Sequence, residues 1–496
     1  MKVRTNKSAT HIIRASAIMG SSSFVVILTG VVKNKVLALI IGPAGLGLVG
    51  LYLSIISVVA TISGMGINGS GVRHIAAAVS ENDNEKLSIT CTAVRISSFV
   101  FGLVGAISLI VFREQVSVLA IGKSGYGAVV AWLGLGVLAT NVSNAQISLL
   151  NGLRKLGDLA RINVTGALLG LPIACIAVLL WKTNGVIAAL VGGNLATLTA
   201  SWWFYNKSEI PKVKIGRNWN LVLVQLRELL GLGTVLMLSA LMTASVQFCV
   251  RAYLSQTMGI EATGHFQASW SISMLYLGFV LNAMATDFYP RLSMVAKDSS
   301  ETNNLVNEQM EVALLLTGPV ILGMLSFTPQ IISILYSKAF YETTSILRWQ
   351  ILGDLFKVAC WPMGFILLAH GRSALFFAAE LTWNLAYLSI IYMGLGIWGV
   401  NITGIAFLVA YILLFCVNWV IVHRLTRFRF TRYNLRLLLM YVLCSIIVYC
   451  FADTNNVMFF AMSLLITLAL GVYSIRRLCN SVGPLPWKKA KATNCF

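Results

Sequence analysis

The sequence has few charged residues, and acidic ones are especially scarce. Only 11% of its 496 residues are charged, with 17 Asp and Glu against 37 Lys and Arg. Hydrophobic residues make up 57% of the chain, and the mean hydropathy is +0.81. Because soluble domains carry about 25% charged residues, this composition excludes a soluble protein and predicts a polytopic membrane protein.

Sequence motifs for catalysis are also missing. The chain contains no Walker lysine loop, no HExxH motif and no GxSxG motif. Its nine cysteines show no CxxC spacing, so they indicate neither a disulfide framework nor a zinc site. We therefore expect a transporter with no catalytic residue, metal or cofactor, for which H+ and Na+ are the candidate coupling ions.

The hydrophobic residues lie in long runs that predict membrane-spanning helices. A spanning helix needs about 20 mainly apolar residues, whereas the alternating strands of a membrane barrel give a weaker pattern. About fourteen runs are long enough to cross, and they cover residues 12–41, 46–77, 87–111, 126–150, 161–181, 185–205, 227–256, 262–289, 309–336, 343–369, 371–394, 399–423, 434–452 and 456–477. The predicted fold class is all-α integral membrane, with two pseudo-symmetric six-helix lobes and a C-terminal helix pair.

The positive charges indicate the topology of these helices. Most basic residues fall in alternate loops, and the remaining loops hold little beyond Arg113, Lys123, Lys182 and Lys338. Positively charged loops stay in the cytoplasm, so both termini are predicted to be cytoplasmic. The net charge of +20 is thus a topology signal, and we expect no binding of nucleic acid.

A basic stretch that contains proline divides the chain. Residues 211–226 follow the sixth run and are predicted to form a cytoplasmic inter-lobe linker, with an ordinary loop as the alternative. The N-terminal lobe is then residues 1–210 and the C-terminal lobe residues 227–424. Residues 425–496 hold the two extra helices and a basic cytoplasmic tail. The segment VLVQLREL, which begins at residue 222 at the end of the linker, fits an amphipathic surface helix.

A weak internal repeat relates the first hairpin to the helix pair that follows the linker. Gly42 and Gly47 in the first, and Gly259 and Gly264 in the second, are each five residues apart at the predicted outer turn. Glycine permits a tight connection at such a turn. The repeat therefore predicts two lobes of the same orientation.

A cation precedes each of these turns, namely Lys33 or Lys35 in the first lobe and Arg251 in the second. A charge in the hydrocarbon core costs about 2.5–3.5 kcal/mol, so such a cation is paired, reaches the surface or faces a polar cavity. Arg251 has no acidic residue within one turn along the sequence. We interpret it as ligand-facing, and snorkelling to the surface is the alternative for the two lysines.

Other charged residues also fall inside the runs. Arg73 and Arg95 either line the same cavity or mark the cytoplasmic interface. Asp354 and Lys357 are three residues apart and share a helix face. Together with Glu380 on the next helix, they form either a structural ion-pair cluster or a coupling and gating group.

The cations and the neutral polar residues suggest different parts of one ligand. Arginine and lysine in a membrane cavity favour an anion, and guanidinium suits the bidentate geometry of phosphate. A sugar would need polar and aromatic groups, such as those of Asn68, Asn141 and Asn144. Gln267 and Trp270 share one helix face and are candidate binding residues, with ordinary interhelical packing as the alternative.

Several motifs, in order over about residues 10–424, resemble one family. They are LIIGPAGLGLVGLYLSI, GMGINGSGVRHIA, GHFQASWSISMLYLGF with FYPRLS, and LRWQILGDLFKVACWPMGFILLA with AAEL. They resemble the bacterial lipid-linked oligosaccharide flippases, including the Wzx-type O-antigen and enterobacterial common antigen translocases. These belong to the multidrug/oligosaccharidyl-lipid/polysaccharide (MOP) flippase superfamily.

The resemblance implies a V-shaped pair of lobes that alternates between inward-open and outward-open states in the bacterial inner membrane. The undecaprenyl tail of the substrate would stay in lipid, while its pyrophosphate-linked oligosaccharide crosses a cationic cavity to the outer leaflet. Membrane lipids are implied partners, and so are an O-antigen polymerase and a chain-length regulator. The family's functional positions fall on Lys35, Arg73, Arg251, Trp349, Gln350, Gly353, Asp354, Lys357 and Glu380. The chain departs from the family pattern at Lys33, at Arg95 and in its last two helices.

Three other functions compete with this interpretation, and the sequence disfavours two of them. A multidrug exporter of the same fold should need unpaired carboxylates in its cavity, which the excess of cations disfavours. A peptidoglycan-precursor flippase would differ only in the sugar. A polytopic glycosyltransferase or ligase would need an accessible acid or base on a large outer loop, and the longest outer loop, roughly residues 112–125, is too short.

Overall fold

The computed structural model describes residues 2–208, 219–452 and 457–482, which form helices and no strand. Ten ranges among these residues are long and apolar enough to cross a membrane. The all-α membrane fold is therefore confirmed, and the count of fourteen crossings stays a prediction. In order, the α-helices are α1 (Lys2–Gly64), α2 (Ile67–Ser80), α3 (Asn84–Val111), α4 (Arg113–Ile121), α5 (Gly127–Gly152), α6 (Leu156–Trp181), α7 (Gly185–Lys207), α8 (Trp219–Thr257), α9 (Ile260–Val295), α10 (Ser299–Ser326), α11 (Thr328–Leu335), α12 (Thr343–Ala369), α13 (Ser373–Trp398), α14 (Ile402–Thr426), α15 (Arg432–Ala452) and α16 (Val457–Val482).

Aspartate side chains cap the starts of two helices, α3 and α10. The Asp83 side chain accepts a hydrogen bond from the backbone N–H of Lys86 at the start of α3. The Asp298 side chain accepts from two backbone N–H groups at the start of α10. Such caps satisfy donors that the first helical turn leaves unpaired, and they therefore set where the helix begins.

Two predicted features of the first hairpin differ in the structure. A kink at Gly42 (φ 64°, ψ −168°), followed by Pro43, takes the place of a separate outer turn, and α1 continues to Gly64. The predicted second run, residues 46–77, is interrupted because Met65 and Gly66 both have positive φ, at 48° and 64°. The prediction of one unbroken second helix was wrong, since a run of apolar residues does not reveal a local left-handed backbone.

The structure also divides another predicted run and places a short helix in a predicted loop. The predicted run at residues 309–336 divides at Phe327 into α10 and α11, and Pro329 is the second residue of α11. Proline fits the first turn of a helix, where its missing N–H has no intrahelical partner. The predicted outer loop at residues 112–125 contains the short helix α4.

Contacts between Cα atoms divide the chain into two compact units. Unit 1 is Met1–Gln267 with Leu335–Ala339, and unit 2 is Ala268–Ile334 with Phe340–Phe496. Within unit 1, α6 packs on α7, α3 on α5, and α1 on α6 and α8; within unit 2, α12 and α13 pack on α14. The predicted lobe boundaries stay a prediction. Of the predicted linker, residues 211–218 lie outside the described residues, and VLVQLREL belongs to the long helix α8.

The C-terminal helix pair packs on α10 within unit 2. The Asn434 side-chain amide donates to the backbone carbonyl of Asn307 at 2.8 Å. The Tyr441 ring lies against Gly318, where a Cβ atom would come within 2.3 Å of the ring. These contacts join α15 to the rest of unit 2. The predicted basic tail beyond residue 482 lies outside the described residues.

Candidate functional site

Arg251, on α8, is buried with 6% of its surface exposed. Its Nη1 donates to the backbone carbonyl and to the side-chain Oε1 of Gln247, at 2.9 and 2.8 Å. Its Nε and Nη2 both donate to Oε1 of Gln267, at 3.0 and 2.9 Å. The guanidinium carbon also lies 5.3 Å from the centre of the Phe266 ring. The two amides therefore fix the orientation of a charge that is held inside the protein.

Gln267 reaches Arg251 because α1 has a glycine at the point of contact. A Cβ atom on Gly50 would lie 2.4 Å from Oε1 of Gln267, closer than any real side chain allows. The absence of a side chain at Gly50 therefore leaves room for the amide. In this way α1 helps to position a side chain of α9 against a cation of α8.

Two further glycines bring the predicted repeats into contact. A Cβ atom on Gly47 would lie 2.1 Å from the carbonyl oxygen of Ile260 and 2.9 Å from the backbone nitrogen of Gly264. A Cβ atom on Gly264 would lie 1.8 Å from the carbonyl oxygen of Pro43. Each of the two glycines thus lets the opposite backbone approach, and Gly259 before the second helix has φ of 92°.

The other predicted cations contact different parts of unit 1. The Lys35 amine donates to the backbone carbonyl of Tyr336. Lys33 is half-buried on α1 and has Cys175 of α6 as an electrostatic neighbour. Arg95 is exposed on α3, with its guanidinium carbon 4.8 Å from the centre of the Tyr205 ring. Arg73 is exposed on α2.

Asp354, on α12, is fully buried in unit 2. Its Oδ2 accepts a hydrogen bond from the Ser273 hydroxyl at 2.8 Å and another from the Tyr276 hydroxyl, both on α9. Its Oδ1 is buried and has no hydrogen-bond partner in the described part of the chain. One carboxylate oxygen is thus satisfied by hydroxyl groups, and the other can still accept a hydrogen bond or bind a cation.

Lys357 lies one helical turn after Asp354, and its amine lies near a thioether sulfur and two aromatic rings. Nζ is 3.5 Å from Sδ of Met274 and 5.8 and 5.7 Å from the ring centres of Phe407 and Tyr411. The lysine charge also interacts with the carboxylates of Asp354 and Glu380. The structure therefore brings the three charged residues of the predicted coupling group into one cluster, with cation–π contacts that stabilise the buried ammonium group.

Trp270 lies in an aromatic cluster of unit 2. Its ring centre is 5.9 Å from that of Phe407, edge to face, and 6.4 Å from that of Tyr387. Tyr387 in turn stacks on Trp383 at 5.1 Å. Contacts of this kind contribute to packing between helices, and the role of Trp270 in sugar binding stays a prediction.

Gln247 and Tyr276 were not among the residues predicted from the sequence. Gln247 precedes Arg251 by one helical turn, a spacing that places the two side chains on one face. Tyr276 follows Ser273 by three residues on α9, and its partner Asp354 lies 78 residues further on. The first could have been found from its spacing, whereas the second depends on a long-range contact that no local pattern indicates.

Solved transporter structures have the same fold. An inward-facing multidrug resistance MATE family transporter of the MOP superfamily matches with a TM-score of 0.68 at 15% identity, covering 83% of this chain and 99% of that one. The lipid II flippase MurJ in an inward closed conformation matches with a TM-score of 0.64 at 16% identity, covering 94% and 99%. The chain therefore has the fold of MOP superfamily transporters.

The amino-acid sequence itself identifies the family. The model of the family described as polysaccharide biosynthesis protein matches residues 36–345, and the chain belongs to this family. A lipid III flippase of Escherichia coli (strain K12) is 24% identical over 382 residues, covering 74% of this chain and 88% of the relative. A lipid III flippase of Shigella flexneri matches equally. The predicted resemblance to MOP-type flippases is confirmed, and these relatives are transporters rather than enzymes.

Proposed function

We propose that this protein is a flippase that moves an undecaprenyl-pyrophosphate-linked oligosaccharide from the cytoplasmic to the outer leaflet of the bacterial inner membrane by alternating access. The observation that carries the proposal is the match to two lipid III flippases over 88% of their length. An O-antigen unit is the proposed cargo. A polymerase and a chain-length regulator would then act on it at the outer leaflet, and both termini of the flippase would face the cytoplasm.

The contacts of Arg251 support recognition of the pyrophosphate. The amides of Gln247 and Gln267 are neutral and orient the guanidinium without cancelling its charge. A hydrogen bond between two charged groups is roughly twice as strong as one to a neutral group, so a phosphate oxygen can take over the donors now bound by Gln267. Lys33, Lys35, Arg73 and Arg95 are proposed to attract the anion along the rest of its path.

The cluster around Asp354 supports a role in coupling. A buried carboxylate is costly unless its oxygens are satisfied, and Oδ1 has no partner in the described part of the chain. Uptake of H+ or Na+ at this oxygen would lower the cost. We propose that the charge then redistributes between Asp354, Lys357 and Glu380 and that this change biases the transport cycle.

A peptidoglycan-precursor flippase is the second candidate. The fold match to the lipid II flippase, which covers 94% of this chain, favours it. That match is at 16% identity and concerns the fold, whereas the lipid III flippases match in sequence at 24%. The proposal therefore gives priority to a lipid-linked oligosaccharide over a peptidoglycan precursor.

Reconstituted vesicles can separate these functions. Purified protein is placed in liposomes that contain one of three fluorescent probes: an undecaprenyl-pyrophosphate-linked oligosaccharide, a peptidoglycan precursor on the same carrier, or a cationic dye. We expect the first probe to change leaflets fastest. Faster movement of the precursor would favour the second candidate, and transport of the dye alone would show a multidrug exporter.

A further inference from the structure

The backbone break between α1 and α2 borders a cavity within unit 1. Met65 and Gly66 leave the helical conformation at this point, with φ of 48° and 64°. Irregular backbone in a membrane protein is tolerated where it is buried in protein or lines a polar cavity. The cavity next to the break has a volume of about 300 Å³, at the lower end of the ~300–1,000 Å³ range of small-molecule sites.

Hydroxyl and amide side chains supply the polar part of the cavity wall, and residues of α8 such as Leu236 supply an apolar part. None of the lining residues, all of which lie in the described part of the chain, carries a charge. The side chains therefore provide neither the cations that an anion would require nor the carboxylates typical of a metal site. The polar lining residues are Ser57, Thr61, Asn68, Thr140 and Asn144.

Several of these groups can still form hydrogen bonds with a ligand. Oδ1 of Asn68 is buried and has no partner in the described part of the chain. The hydroxyls of Thr61 and Thr140 each donate to their own helix at 2.7 Å, so their oxygens can accept further bonds. The side chain of Asn144 is exposed. The N-cap residue of α2 is Gly66, so no side chain of that residue caps the first turn of the helix. The cavity thus combines acceptors with amide donors, as a polyhydroxyl compound would require.

We infer that this cavity is a binding subsite for a neutral sugar ring of the transported head group. The inference rests on the proposed function, because the sugar is attached to the pyrophosphate that Arg251 is proposed to bind. On α1, the Gln267 contact is at Gly50 and the cavity begins at Ser57. At 1.5 Å per residue these points are roughly 10 Å apart along the helix. One head group can therefore span the two sites.

Binding of defined carriers to the full-length protein in lipid nanodiscs tests this subsite. The probes are undecaprenyl pyrophosphate alone and the same carrier bearing glucose, N-acetylglucosamine or glucuronic acid. We expect at least one neutral sugar to tighten binding by about threefold or more, the gain from one or two net hydrogen bonds, and we expect no gain from the glucuronate. Asn144→Leu and Thr140→Val should each reduce the gain from the neutral sugar and leave binding of the bare carrier unchanged.

Two variants serve as matched controls, because Asn184→Leu and Thr183→Val make the same chemical changes at exposed positions outside the cavity. They should keep the full gain. The subsite is refuted if no neutral sugar tightens binding in the wild type, or if the cavity variants retain the gain. In either case, if the protein still binds undecaprenyl pyrophosphate alone, the proposed function stands and only the subsite is refuted. A wild-type protein that binds none of the four carriers would overturn both.

Discussion

Arg251 and Asp354 are buried groups of opposite charge, and uncharged side chains contact both. Glutamine amides accept from the guanidinium, and the hydroxyls of Ser273 and Tyr276 donate to the carboxylate. Such partners reduce the cost of burial without removing the charge. We therefore expect both side chains to keep their charges available, Arg251 for an anion and Asp354 for a coupling ion.

Gly50→Ala tests how Arg251 is held. The added methyl group would displace the Gln267 amide and remove two acceptor contacts from the guanidinium. Hydrogen bonds to charged groups contribute about 1.5–3 kcal/mol, so we expect flipping in vesicles to slow by about tenfold or more. Gly231→Ala is the matched control, because nothing lies within 4 Å of a Cβ atom there. Equal rates for the two variants would contradict the positioning role of Gln267.

Asp354→Asn tests the proposed coupling. The amide has nearly the same size but cannot ionise, so an imposed H+ or Na+ gradient should no longer accelerate flipping. The rate without a gradient should stay within about twofold of wild type if the hydrogen bonds to α9 are largely kept. Rates are measured in vesicles with each gradient imposed separately. If a gradient accelerated flipping by the variant as much as by the wild type, Asp354 would have a structural role and no role in coupling.

Glycines at the contacts between helices allow the helices to pack closely. Gly47 and Gly264 allow the backbones of α1 and α9 to touch. Gly66, just after the end of α1, and Gly233 of α8 allow a second close contact. A Cβ atom on Gly66 would lie 1.9 Å from the carbonyl oxygen of Gly233. In membranes, small residues are the usual means of close helix packing. The first hairpin thus contacts both helices that follow the predicted linker.

Gly264→Ala should weaken this contact between helices. Its Cβ would lie 1.8 Å from the carbonyl oxygen of Pro43, a backbone atom that cannot turn away as a side chain can. Overpacking of this kind costs about 1–3 kcal/mol, so we expect a lower melting temperature and slower flipping. Gly170→Ala is the control, because its nearest non-local atom would be at an ordinary 3.6 Å. An unchanged melting temperature in Gly264→Ala would show that the two helices separate without cost.

Local patterns predicted some elements fully and others in part. The predicted run 343–369 coincides with α12 because turn residues bound its apolar stretch on both sides. The glycines at positions 42, 47, 259 and 264 were found as a repeat, but the contact between the two repeats at Gly47 and Gly264 was not, because spacing along a chain does not show which turns meet. The break at Met65 and the Tyr276 contact were missed for the same reason: each depends on backbone or tertiary geometry within an apolar segment.

The distribution of charge determines the expected orientation of the whole molecule. Basic residues collect in alternate loops and in the tail, which predicts cytoplasmic termini. This orientation would place the Gly42 kink towards the outer leaflet and the α2–α3 turn towards the cytoplasm. The direction of transport in the account depends on it.

Fusions to the C-terminal residue Phe496 test the orientation. Green fluorescent protein at this position should fluoresce, because it folds in the cytoplasm, and alkaline phosphatase should be inactive there. Fusion of the same two reporters within residues 122–125, after α4, should give the reverse pattern. An active phosphatase at the C-terminus would reverse the predicted topology.

The most direct test of the central claim is the rate at which a fluorescent undecaprenyl-pyrophosphate-linked oligosaccharide changes leaflet in vesicles, followed with a membrane-impermeant quencher. Vesicles with the wild-type protein, with Arg251→Ala or with Arg251→Lys are compared with protein-free vesicles. We expect rapid exchange with the wild type, the protein-free rate with Arg251→Ala, and an intermediate rate with Arg251→Lys, which keeps the charge but loses the bidentate geometry. Wild-type vesicles no faster than protein-free ones would contradict the flippase, and a wild-type rate in Arg251→Ala would contradict the role of Arg251.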